Sequence, residues 1–123
     1  MAAPNAVVNL DEKFAKFSDH WSPKILGQVN DHQIKAGKMQ GEFVWHQHDD
    51  TDELFFVVRG SVRIRLDDRD DVEVRAGEFF VVPRGLRHCP VAEKECELLL
   101  LEKVGSVNTG DAGGALTATE PWI

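Results

Sequence analysis

A chain of 123 residues is long enough for one compact domain and too short for two, so a single hydrophobic core spanning residues 1–123 is expected. Its 42% apolar and 28% charged residues are ordinary for a soluble globular protein, and a formal charge of −7 argues against nucleic acid or an anionic membrane surface as a partner. The opening MAAPNAVVNL has neither a positive start nor an apolar stretch of signal length, which makes the cytoplasm the expected compartment. Cys89 and Cys96 fit reduced thiols there, and their spacing supports neither a disulfide framework nor a thiolate zinc site.

In chain order, Asn9 followed by Leu10, Asp11 and Glu12 reads as an N-cap with acids in the first turn. It opens a short helix over about 10–17 whose Leu10, Phe14 and Phe17 share a face, suited to lie across the outside of a sheet. Trp21, Ser22 and Pro23 end it. Lys24 to Val29 and Gln33 to Met39 read as strands joined by a turn at Asn30 and Asp31. After Gly41, Glu42 to His48 reads as a strand with Val44, His46 and His48 on one face and Phe43 and Trp45 on the other.

Leu54 to Val58 and Phe79 to Val82 are unbroken apolar runs, expected of strands covered on both faces. Ser61 to Leu66 alternates, with Val62, Ile64 and Leu66 facing in and Arg63 and Arg65 facing out. Asp67 to Asp71 is a charged turn before a short strand at Val72 to Val74, and Glu97 to Lys103 encloses a final central strand. The core thus runs over about 24–104, and the tail 105–123 lacks periodicity until Pro121, Trp122 and Ile123, which dock on the domain or on a partner. About eight to ten short strands with turns between them define an all-β sandwich or barrel.

Two stretches carry chemistry. In GEFVWHQHDDTDELFFVVRG, from Gly41 to Gly60, the two-residue strand repeat projects His46 and His48 from one face, about 7 Å apart. The polar run Asp49 to Asp52 reads as a turn, after which Glu53 opens a second strand and brings its carboxylate towards the imidazoles. In GEFFVVPRGLRHCP, from Gly77 to Pro90, a turn glycine, an apolar strand and a Pro-Gly turn precede His88. Three imidazoles and a carboxylate form a donor set for iron, manganese, nickel, copper or zinc, so a divalent transition metal is the expected cofactor. His20 and His32 read as surface residues, and Asp49, Asp50 and Asp52 as a solvated loop; Glu42, Arg59 and Arg87 are further candidates for the mouth of the site.

The first stretch is glycine followed by H-x-H-x4-E-x6-G, and the second is G-x5-P-x-G-x2-H. Together they resemble the two motifs of a small metal-binding member of the cupin superfamily. The leading glycine stands one residue closer to His46 than in that pattern, and the asparagine often found after the last histidine is absent. The resemblance implies an all-β jelly-roll β-barrel with a short N-terminal helix, its mouth holding a metal on His46, His48, Glu53 and His88. It implies two enzymatic readings for a small oxygenated substrate: a dioxygenase with a redox ion, or an isomerase-like Lewis acid. The second needs a separate acid or base, and no further inward carboxylate or histidine is identifiable in the sequence. The alternative is a non-catalytic module that binds or senses a small molecule. A homodimer is expected, because inward His46, His48 and Glu53 turn Phe43, Trp45, Leu54, Phe56 and Val58 outwards as an apolar patch.

Overall fold

The computed structural model describes residues 6–123. The first half of the opening MAAPNAVVNL, residues 1–5, on which the expectation about a signal stretch partly rests, lies outside the described residues. Among the described residues one helix, α1 (Leu10–Phe14), precedes seven strands: β1 (Lys24–Val29), β2 (His32–Glu42), β3 (Glu53–Arg59), β4 (Ser61–Leu66), β5 (Val72–Arg75), β6 (Phe79–Val82) and β7 (His88–Lys103). They pair antiparallel in the order β1-β2-β7-β3-β6, while β4 pairs with both β5 and β7. The result is a jelly-roll β-barrel.

The strands are fewer than expected because Glu42 to His48 forms none, and β7, at 16 residues, is longer than expected. Its first half pairs with β4, from Leu66↔His88 to Arg63↔Val91, and its second half pairs with β2 and β3. Pro90 within it marked no strand in the sequence, since proline lacks the donor a ladder uses. The register shifts between Met39 and Gly41, where two positions of β2 span four of β7, from Cys96 to Ala92. The expected strand Glu42 to His48 is a correction. Pairing of β2 ends at Glu42, and the chain then runs irregularly to a lone antiparallel bridge, His46↔His88.

That irregularity breaks the alternation and turns Phe43 inward: it is buried and meets the His46 ring edge-on at 5.3 Å between centroids. Phe43 is thus removed from the expected outer patch. Trp45 remains partly buried under the Arg65 guanidinium, 5.3 Å from its ring.

The barrel interior is filled by Phe55, Val57, Val62, Ile64, Leu66, Val82, Leu98 and Leu100 among others, all from the inward parity of their strands. A second, smaller core lies outside the sheet. The Asn9 side chain caps α1 by accepting from the Glu12 amide, and Phe14 then buries against Leu26 and Ala36, with Leu10, Phe17, Val58, Leu99 and Ile123 around them. The helix is shorter than expected, ending at Phe14, yet Phe17 still joins that face. The tail docks on its own barrel: Trp122 bridges Ile25, and the Ile123 amide donates to the Ile25 carbonyl. Helix and tail together cover Val58, one of the outward residues.

Candidate metal centre

The bridge between His46 and His88 sets the geometry. Each amide donates to the other's carbonyl, at 3.0 and 2.8 Å, so the residues face each other and their rings share a side, 4.3 Å apart. Each ring then donates Nδ1–H to a carbonyl two residues earlier, Val44 for His46 and Leu86 for His88, both at 2.8 Å. A carbonyl only accepts, which fixes the tautomer and leaves both Nε2 atoms as bare acceptors when the rings are neutral.

The turn before β3 is tied on several sides. Thr51 Oγ1 accepts from the Lys103 amide, Asp52 Oδ1 accepts from the Arg84 amide, and the Gly85 amide donates to the His48 carbonyl. From the far end of the chain, Asp111 accepts from the Gln47 amide and donates its own to the Gln47 carbonyl, holding the residue between the two histidines. Gly110 lies so close to Gln47 and His46 that a Cβ there would overlap the Gln47 carbonyl.

Glu53 closes the set. Its Oε1 is 3.2 Å from His48 Nε2 and 3.3 Å from His88 Nε2, and one ligand atom from each of His46, His48, Glu53 and His88 falls within 4.8 Å of all the others. All four residues are buried. His48 Nε2 has no hydrogen-bond partner despite its approach to Glu53. Neutral imidazole acceptors and a carboxylate converging without donors repel one another unless a proton or a cation lies among them. The donor set and its unpartnered nitrogen therefore fit a metal ion, which ligands of this kind hold at about 2.0–2.2 Å.

Ionisation follows from burial. Burial and the neighbouring His88 push His46 down to about 4, so it is neutral at physiological pH. Burial also opposes a charge on His48, but the Glu53 carboxylate outweighs it and raises His48 to about 9. Glu53 is likewise penalised by burial, and the imidazoles of His48 and His88 hold it well below the usual carboxylate range.

Sequence reasoning missed Glu102. It is fully buried, Oε2 lies 3.8 Å from His48 Nε2, and burial with the Glu53 charge raises its carboxyl to about 8. The signal was present in the alternation of Leu98, Leu100 and Glu102, but the unbroken leucine run concealed which parity faced inward. Lys35, also fully buried, donates to Glu102 Oε1 at 2.9 Å and to Glu120 Oε1. By contrast Arg59 pairs with Asp11 and Glu97, Arg87 with Asp67, and Glu42 with Arg65, all at exposed positions away from the cluster. His20 pairs with Glu95 at the surface, and His32 begins β2 beside Asp31.

Beside the cluster is an apolar cavity of about 20 Å³, lined by Trp21, Met39, Phe43, Phe55 and Leu100 together with His46 and Glu53. It has room for about one water molecule. Trp21 stacks on Phe43 at 4.6 Å, and Asn108 donates to the Trp21 carbonyl, so these residues close one side of it. A wider cleft of about 370 Å³ near Arg63, Glu73 and Lys94 contains none of the four.

A β-barrel of this topology enclosing three histidines and a glutamate is the architecture of a metal-binding cupin. The cupin domain family matches residues 32–102, and the chain belongs to that family. It is similar to a cupin-2 domain containing protein of Shewanella frigidimarina, at 43% identity over 79% of this chain and 94% of that one, with a TM-score of 0.76. It is also 34% identical to the uncharacterized protein YdbB of Bacillus subtilis over 84 residues, 68% of each chain. A 3-hydroxyanthranilate 3,4-dioxygenase of Aspergillus fumigatus is 29% identical over 60% of this chain, a match that spans 41% of the fungal protein.

Proposed function

We propose that the chain binds one divalent transition-metal ion through His46, His48, Glu53 and His88 and acts as an enzyme on a small oxygenated molecule, in the manner of a dioxygenase. The observation that carries this is the convergence of imidazole acceptors and a carboxylate, with one side open to an apolar cavity. The likeness to a 3-hydroxyanthranilate 3,4-dioxygenase supports the reaction class. A redox ion held by these four residues would supply the chemistry of joint substrate and oxygen binding. Trp21, Phe43 and Phe55 exclude water and orient an apolar substrate body, while the Nδ1 bonds to Val44 and Leu86 keep the two histidines aimed. A substrate larger than water enters by displacement of Trp21 or Asn108.

A second reading, Lewis-acid isomerisation, draws on Glu102, which offers the additional inward carboxylate such chemistry needs. Metal analysis of the purified protein followed by oxygen uptake with phenolic and diketone substrates under added Fe(II) separates the two. Stoichiometric metal with uptake supports the first reading; bound zinc with no uptake favours the second; absence of metal removes both and leaves a non-catalytic binding module.

We further propose a homodimer through the outer face of the sheet. The register sets Ile34, Leu101, Leu54 and Val81 in one row across four strands and Ala36, Leu99, Phe56 and Phe79 in the next. Phe79 is 63% exposed and Val81 40%. Helix α1 and the tail cover only the Ala36 and Leu99 end, and a second copy would cover the rest.

A further inference from the structure

Lys35, Glu102 and Glu120 form a buried ionic cluster against the wall of the candidate metal centre, and nothing in the four-ligand set accounts for it. The register that places Leu54 opposite Leu101 and Phe55 opposite Leu100 brings Glu53 and Glu102 side by side, both facing inward. Like charges opposite one another on neighbouring strands repel, and the cost grows when both are buried. Lys35 does not neutralise the pair. Its ammonium donates to Glu102 Oε1, to the Ser106 carbonyl at 3.2 Å and to Glu120 Oε1, which uses all three of its hydrogens.

Glu102 Oε2 is left without a partner on a side chain of zero exposure, 3.8 Å from the equally unpartnered His48 Nε2. The charges point the same way: once a bound ion has displaced the protons of the cluster, the carboxylates of Glu53, Glu102 and Glu120 against the single Lys35 ammonium leave two negative charges, which one divalent cation balances.

We infer that Glu102 is a positioning residue of the metal centre, held by Lys35 and Glu120, whose Oε2 offsets the charge of the bound ion and accepts a hydrogen bond from a water or hydroxyl group on it. Glu120 lies three residues from the end of the chain, so the C-terminal segment becomes part of the centre through Lys35. This rests on the metal-binding reading above.

The test is competition with a chromophoric chelator for Zn(II) and Mn(II) in the full chain, comparing wild type, Glu102→Gln and Glu120→Gln, with thermal unfolding of each metal-free protein. Glu102→Gln is expected to weaken both ions about 10- to 100-fold, the range found when partners of metal ligands are removed. The metal-free protein should meanwhile unfold at the same or a higher temperature, since the amide, unlike the carboxyl, needs no added proton to sit uncharged beside Glu53. A purely structural role moves these readouts the other way, lowering metal-free stability and leaving affinity within twofold, and that result overturns the inference. Should Glu102→Gln fail to fold, Glu120→Gln on the surface-docked tail carries the test: a severalfold weakening supports the inference and unchanged affinity overturns it. A wild-type chain that binds neither ion overturns the metal reading itself, whereas wild-type binding with unaltered affinity in both variants overturns only the role of Glu102.

Discussion

Metal binding at neutral pH should exchange about two protons for one divalent ion. In the metal-free cluster His48 is raised to about 9 by the Glu53 carboxylate and Glu102 to about 8 by burial and the same charge, so each carries a proton at pH 7. His46, lowered to about 4, carries none. Ligation needs a neutral His48, and an ion beside Glu102 ionises it. At pH 7 the competition costs about two decades of affinity from His48 and about one from Glu102, together on the order of 4 kcal/mol. Affinity should therefore climb about 100-fold per pH unit between pH 6 and 8 and flatten above about 9, as each group loses its proton unaided. Titration calorimetry with Zn(II) at pH 7, in buffers of different ionisation enthalpy, counts the protons directly. Release of one proton or fewer would refute the reasoning, because it would mean that burial does not hold both groups in their protonated forms.

The same shifts govern the metal-free fold. His48 and Glu102 both have folded values above their unfolded ones, so their contribution is complete at low pH and is lost as pH rises, through about 8 for Glu102 and about 9 for His48. The melting temperature of chelator-treated protein should fall from pH 6 to pH 9, while the metal-loaded protein, whose ion replaces those protons, should change little; parallel curves would contradict this. His46→Ala combined with His88→Ala should abolish stoichiometric metal by elemental analysis, since only His48 and Glu53 remain. Gly110→Ala should cost at least about 2 kcal/mol by chemical denaturation, because Gly110 has φ +54° and its new methyl would overlap the Gln47 carbonyl; a change under half that would refute the close approach. Phe56→Asp with Phe79→Asp should give monomers that still bind metal, and wild-type protein sedimenting as a monomer at micromolar concentration would remove the dimer.

The sequence by itself determined the fold class and the convergence of four side chains. Strand parity and turn glycines are local properties, so the spacing from His46 to Gly60 and from Gly77 to His88 carries its own geometry. Parity was also sufficient for Val62, Ile64 and Leu66, whose neighbours are arginines. It failed where both neighbours are apolar or where the ladder breaks. Alternation presumes a continuous strand and so places Phe43 outward; only the ladder ending at Glu42 and the lone His46↔His88 bridge turn it inward. Glu102 and Lys35 are charged residues, which composition places at the surface; only the pairing of β2 with β7 and the return of Glu120 from the tail supply the counter-charges that let them be buried. Such pairing joins residues 67 and 85 positions apart, and no local pattern encodes it.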